Sequence, residues 1–170
     1  MLSGIVHWLS DWDNSTGLIA IISFIMTSIT WGRTLHENRQ NLAFHIHEFQ
    51  SHDDISFFFM QIENHSKLPV AITRFQLIID DSAFDCTPIP NFIYEYTRRS
   101  GKEVTSRKTF YSLQMPIEVS ALGAISGYIL FEGSQVVLPT DSTMATFQVC
   151  TNRKRKEKIS LPLPADVLHK

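Results

Sequence analysis

Hydrophobic and polar positions change their period partway along this chain. From Gly17 to Gly32 runs GLIAIISFIMTSITWG, in which Leu18, Ile19, Ile21, Ile22, Phe24, Ile25, Met26 and Ile29 are accompanied by no charge. A surface helix would show a charged stripe, and a helix apolar all round requires lipid or a large core. The stretch therefore predicts one transmembrane helix. Its sixteen residues rise only ~24 Å, less than the ~30 Å hydrocarbon layer. Extension to residues 15–35, with Arg33 reaching back to the headgroups and Trp31 in the interface, supplies the missing length. The alternative is a buried helix of a soluble protein.

From residue 42 the period becomes two. Leu42, Phe44 and Ile46 alternate with Ala43, His45 and His47, as in a strand with one buried face. ISFFFMQIEN, which follows, is apolar on both faces and reads as a central strand. HSKLP makes a turn into VAITRFQLIID, and Pro69 opens that strand where it costs no ladder bond. NFIYEYT, TFYSL, GAISGYILFE, MATFQVCT and EKISLPL complete eight or nine expected strands, with MPIEVSALG as a separator and RRSGK and NRKRK as turns. So many short strands with turn signals between them predict a mainly β domain, an antiparallel sandwich or barrel. The expected division is an outer interfacial segment at 1–14, the transmembrane helix at 15–35, a linker at 36–41 and one β domain at 42–170. In the first of these, Ile5, Trp8, Leu9 and Trp12 fall at helical spacing and could lie flat in the interface.

Charge sets the expected orientation. Asp11 and Asp13 precede the apolar run and Arg33 and Arg39 follow it, which by the positive-inside bias puts the N-terminus outside and the β domain in the cytoplasm. Residues 1–32 hold no Lys or Arg, unlike the positive start of a cleaved secretory signal. Of 17 acids two precede the helix, leaving 15 against 15 Lys and Arg. A formally neutral domain offers no general affinity for duplex nucleic acid. Cys86 and Cys150 lack CxxC spacing, and in a cytoplasmic domain they are expected as free thiols.

The order of an apolar strand, IENHSKLPVAITRFQLIID, a Cys-Pro loop and MPIEVSALGAISGYILFE resembles a group of bacterial and phage membrane proteins. These join one N-terminal helix to a small immunoglobulin-like β-sandwich. The similarity runs from about Thr16 to Leu163, on Asn64, Ser66, Pro69, Ile72, Thr73, Arg74 and Pro116. The resemblance implies a fold and a single-pass topology and no activity.

Several groups of residues are candidates for contact. Gly17, Ala20, Ser23, Thr27 and Thr30 recur every three or four residues of the helix, a pattern that lets helices approach and hydrogen-bond; the alternative is that the hydroxyls bond back to their own carbonyls. Tyr94, Tyr96, Phe110 and Tyr111 interleave with Arg98, Arg99, Lys102, Arg107 and Lys108. Aromatics could stack on bases while cations meet phosphates, as a nucleotide or single strand requires; the alternative is a hairpin with packed aromatics and a charged tip. Arg153, Lys154, Arg155, Lys156 and Lys158 form the densest cationic run, suited to anionic lipid at the inner leaflet or to a solvated turn.

His45 and His47 share a strand face and could supply two zinc ligands with help from His52, Asp53 or Asp54; the alternative is a polar outward face. GAISG departs from the GxSxG of a nucleophile elbow, and no HExxH, P-loop or Rossmann glycine pattern occurs. Asp53–Asp54 and Asp80–Asp81 are adjacent pairs that point to opposite faces of a strand and read as strand ends. The expected function is a non-catalytic, cofactor-free interaction or assembly module anchored in the cytoplasmic membrane. Its expected partners are lipid and a second copy or another membrane protein. The alternative is an effector in which a nucleotide-sensing β domain drives an oligomeric, membrane-disrupting helix.

Overall fold

The computed structural model describes residues 12–101, 103–139, 142–153 and 156–164, and the side chains from residue 16 onward except 36 and 37. Two compact units divide at Arg39/Gln40, Met1–Arg39 and Gln40–Lys170. The expected interfacial residues Ile5, Trp8 and Leu9 lie outside the described residues.

In the first unit, α1 (Trp12–Glu37) is a continuous helix of 26 residues. Its window Thr16–Leu35 has 20 residues and a mean hydropathy of 1.5, with no part buried. Twenty residues rise ~30 Å, the thickness of the hydrocarbon layer. This is one helix long and apolar enough to cross a membrane, over the stretch expected from the sequence. Ile19, Phe24, Met26, Ile29 and Trp31 are all exposed.

The second unit is built from ten described strands: β1 (Leu42–His52), β2 (Ile55–Asn64), β3 (Val70–Ile79), β4 (Ser82–Asp85), β5 (Phe92–Ser100), β6 (Glu103–Tyr111), β7 (Ile117–Val119), β8 (Ala124–Glu132), β9 (Met144–Thr151) and β10 (Lys156–Pro162). One sheet has the order β1-β2-β8, and a second has the order β10-β9-β3-β4 with β7 also on β3. Strands β5 and β6 form a two-stranded ribbon of their own. Every strand-to-strand pairing is antiparallel. The domain is therefore mainly β, as its period-two pattern requires, with β2 central between β1 and β8.

The two larger sheets face each other across aromatic rings. Phe58 of β2 meets Phe147 of β9 edge-on at 5.0 Å between centroids and Phe131 of β8 at 5.8 Å. Phe75 of β3 packs on Phe147 at 5.4 Å and on Phe44 of β1 at 6.1 Å. Phe58, Phe75, Phe131 and Phe147 are wholly buried, together with Met60, Ile62, Ile72 and Leu77. Offset and edge-on ring pairs add to the burial of the rings themselves. This is the apolar content that holds the sheets together.

Strands β4 and β7, which lie in stretches expected to be irregular, are four and three residues long. Asp80 and Asp81 adopt φ of 46° and 63° and link Ile79 to its partner Ser82. Two positive-φ residues make the tight turn whose twist suits a β-hairpin, and aspartate tolerates that conformation better than most residues. In the β1–β2 hairpin turn Asp53 alone takes positive φ, at 49°. The paired aspartates are thus turn formers. Cys86 is buried and free, and Cys150 is half-buried and free.

Candidate functional site

The β5–β6 ribbon has a fixed base and a bare shaft. Register places Tyr94 opposite Phe110, Tyr96 opposite Lys108 and Arg98 opposite Ser106 on one face, with Glu95, Thr97, Arg107 and Thr109 on the other. At the base Tyr94 stacks on Phe110 at 4.7 Å, and both rings meet Tyr128 of β8 edge-on at 5.7 and 6.1 Å. Tyr128 in turn contacts Phe57 and Phe59 of β2 at 5.9 and 4.9 Å. These rings cover the face of the β1-β2-β8 sheet that points away from the Phe58–Phe147 core. From Glu103 to Thr109, by contrast, every residue of β6 is exposed. A two-stranded ribbon gains little stability by itself in water, so its base holds it in place.

That base is also joined by polar bonds. The Tyr128 hydroxyl donates to Glu48 Oε2 at 3.0 Å and lies 2.9 Å from the Tyr94 hydroxyl. Burial, the Tyr94 hydroxyl and the Glu48 carboxylate all push the Tyr128 phenol upward, well above its ordinary value. Asn91 N donates to Ser112 Oγ and Ser112 N to Asn91 O, each at 2.9 Å, which closes the ribbon where it leaves the body. Leu113 N bonds Tyr128 O at 2.7 Å. The Leu113 side chain lies over Gly127, where a Cβ would approach it to 2.6 Å. A side chain at position 127 would force the Leu113 side chain to move aside.

The aromatic and basic residues singled out from sequence are divided by this arrangement. Tyr94 is committed to the socket. Arg107 Nε is 2.6 Å from Glu95 Oε2, and this bond lowers the Glu95 carboxyl below its usual range. Lys108 Nζ sits 4.8 Å from the centre of the Phe110 ring, a cation–π contact. Tyr96, Arg98 and Arg99 remain exposed toward the tip. Lys102 lies outside the described residues.

Of the second basic group, Arg153 donates from Nη2 to Pro69 O at 2.9 Å. Lys156 and Lys158 are exposed on one face of β10, and Lys154 and Arg155 lie outside the described residues. On α1, Thr27 Oγ1 donates to Ser23 O at 2.7 Å, Thr30 Oγ1 to Met26 O at 2.8 Å and Thr34 Oγ1 to Thr30 O at 2.9 Å. These hydroxyls bond back within their own helix, as the alternative reading had it. Gly17, Ala20 and Ser23 stand on the same stretch; Gly17 has open space around it and Ala20 and Ser23 are exposed.

His45 and His47 are both exposed on β1, but His47 Nε2 lies 3.1 Å from Gln61 Oε1 and His52 Nε2 lies 3.1 Å from Asp53. Among the described residues no three His, Cys, Asp or Glu side chains converge on a point that could hold a metal. A cleft of about 520 Å³ opens between Pro69–Ala71 with Asn152 and Glu118–Ser120 with Ala124 and Ile125. Among the described residues Glu118 is the one carboxylate on its wall and no histidine, lysine or cysteine faces it, so the described lining offers no acid–base pair.

The socket residues Phe57, Phe59, Tyr128 and Glu48 were not singled out from sequence, although one signal pointed to them. Strand β2 is apolar on both faces, so something must cover the second face, and the ribbon base does so. No protein-family model matches the chain, and no curated protein is significantly similar to it.

Proposed function

We propose that the chain is a membrane-anchored, non-catalytic interaction module whose docking element is the β5–β6 ribbon. The carrying observation is the contrast along the ribbon, with a base locked by Tyr94, Phe110 and Tyr128 and a β6 strand exposed from Glu103 to Thr109. A preorganised element loses less conformational freedom on binding. Its outer edges carry unpaired backbone groups of the kind that another strand can join. Exposed Tyr96 and Val104 supply apolar contact and Arg98 and Arg99 supply charge. The partner is a second copy or a neighbouring membrane protein. The α1 window supports the anchor by its length and hydropathy, and Arg33 near its end with Arg39 beyond it support a cytoplasmic domain by the positive-inside bias.

The nucleotide-sensing alternative is less favoured. Among its candidate contacts, Tyr94, Arg107 and Lys108 already have partners within the ribbon and its socket. The test is site-specific photo-crosslinking of the full chain in membranes, with the probe in place of Tyr96 or Val104 and, as control, His45. Discrete adducts from the ribbon positions and none from the control are expected. Absence of adducts from both ribbon positions overturns the reading.

A further inference from the structure

Two loops at one end of the β domain carry exposed leucines that the fold itself does not use. Leu122 is 69% exposed and held at φ 51°, and Leu68 is 41% exposed. A positive-φ turn position ordinarily takes glycine or asparagine, and an exposed leucine there gains nothing from burial. The two loops are one structural piece. The Asn64 amide donates to Leu68 O at 2.9 Å and Ser120 O at 3.0 Å, while Leu122 N donates to Ser66 O at 3.1 Å. Asn64 and Ser66 are nearly wholly buried, so the leucines project from a rigid base.

The same end is where the chain enters the domain. His65 N donates to Asn41 O at 2.9 Å, and Thr151 Oγ1 donates to Gln40 Oε1 at 2.9 Å. Helix α1 ends at Glu37, and the four steps from there to Asn41 reach at most ~14 Å. If α1 spans a bilayer, the loops bonded to Asn41 cannot lie far from its surface. This end carries charge of both signs, Lys67 beside Leu68 and Arg153 on the Pro69 carbonyl together with Glu63 and Glu118, and cations beside a bilayer can meet its anionic headgroups.

We propose that the loops of Leu68 and Leu122 form a lipid-contacting tip, with both leucine side chains entering the boundary between headgroups and acyl chains of the bilayer that α1 crosses. The proposal rests on the membrane-anchored reading of α1. Two contacts besides the helix would fix the tilt of the β domain and hence the direction in which its ribbon points.

The test uses the full chain in vesicles of phosphatidylcholine and phosphatidylglycerol, three to one. Leu68→Cys, Leu122→Cys and Asp54→Cys are each made in a Cys150→Ser chain and labelled with an environment-sensitive fluorophore; buried Cys86 is spared. Asp54 sits in the β1–β2 turn, at the opposite end of a hairpin paired from Leu42↔Asn64 to His52↔Ile55, ~30 Å away at the rise of a strand. The expected result is emission shifted to the blue and quenched by spin-labelled lipid at positions 68 and 122, and water-like emission at position 54. If the chain stays with vesicles through an alkaline wash while labels at 68 and 122 remain water-like, the tip is wrong and the anchor stands. If the chain leaves the vesicles, the anchor reading fails and takes the tip with it. A blue shift at all three positions also overturns the proposal, since contact would then not belong to one end.

Discussion

The hydroxyls of Tyr94 and Tyr128 lie 2.9 Å apart, on rings that meet edge-on at 5.7 Å. Through this contact the exposed ribbon is fastened to the outer face of a sheet whose inner face is already the core. Replacing Tyr128 with Phe keeps the ring and removes both hydroxyl bonds, leaving the Glu48 carboxylate without its donor. A cost of about 1–3 kcal/mol is expected. Hydrogen exchange should rise in β5 and β6 well before it rises in β2 or β9. Unchanged exchange in the ribbon would show that the hydroxyl pair does not hold it.

The Tyr128 phenol is pushed far above its ordinary value by burial and by its two oxygen neighbours. The folded protein therefore retains a proton that the unfolded chain gives up near pH ~10, so stability falls as pH rises past that point. An alkaline absorbance titration should show the last tyrosine ionising together with loss of near-ultraviolet circular dichroism. In Tyr128→Phe this late phase should be absent.

Phe58 touches Phe49, Phe131 and Phe147 and is wholly buried. Phe58→Ala is expected to cost about 3–5 kcal/mol, combining lost burial and the cavity left between the sheets. Against a whole-domain stability of about 5–15 kcal/mol, that loss should move the denaturation midpoint sharply. A change under about 1 kcal/mol would mean that the two sheets are not joined through this ring.

Asn64 holds two loops by donating to Leu68 O and Ser120 O and by accepting from Ser66 N at 3.0 Å and Ser66 Oγ at 2.6 Å. Asn64→Ala should cost about 1–3 kcal/mol, because part-buried carbonyls lose their donor. Asn64→Asp should cost more, since a carboxylate would face those same carbonyls. Chemical denaturation of the two variants checks the order.

Arg74 and Asp85 form a two-point pair, Nε to Oδ1 at 2.6 Å and Nη2 to Oδ2 at 2.7 Å. The hydrogen bond from Arg74 holds the Asp85 carboxyl below its usual range. A depressed folded-state value means the stabilisation is whole above the ordinary carboxylate range and is lost as pH falls from there through the depressed value. Both side chains are about half exposed, 57% and 52%, so Asp85→Asn should cost no more than about 1 kcal/mol at neutral pH. The difference from the parent chain should vanish in acid, and a gap that persists there would point to packing instead.

Cys86 is buried, and burial raises its thiol to about 11. It should resist maleimide in the folded chain at neutral pH and react on unfolding, since the thiolate is the reactive form. Mass spectrometry of the labelled chain checks this. Rapid native labelling of Cys86 would show that the β4 end opens.

What the amino-acid sequence determined by itself is the set of facts that periodicity encodes: an uncharged run that reaches bilayer length with its flanks, strands with one or two buried faces, strand ends at Asp53 and Asp80, and a turn at Gly101. These are local, because each residue's burial is written in its own polarity and spacing. The four- and three-residue strands β4 and β7 escaped because a period of two needs more positions than they have. Tertiary structure alone decided what covers the second apolar face of β2, that Tyr94 and Glu48 both meet the Tyr128 hydroxyl while Tyr96 stays bare, and that the Leu68 and Leu122 loops meet where the chain enters the domain. Polarity records that a face must be buried but not which distant segment buries it, and that choice is made only when the sheets pack.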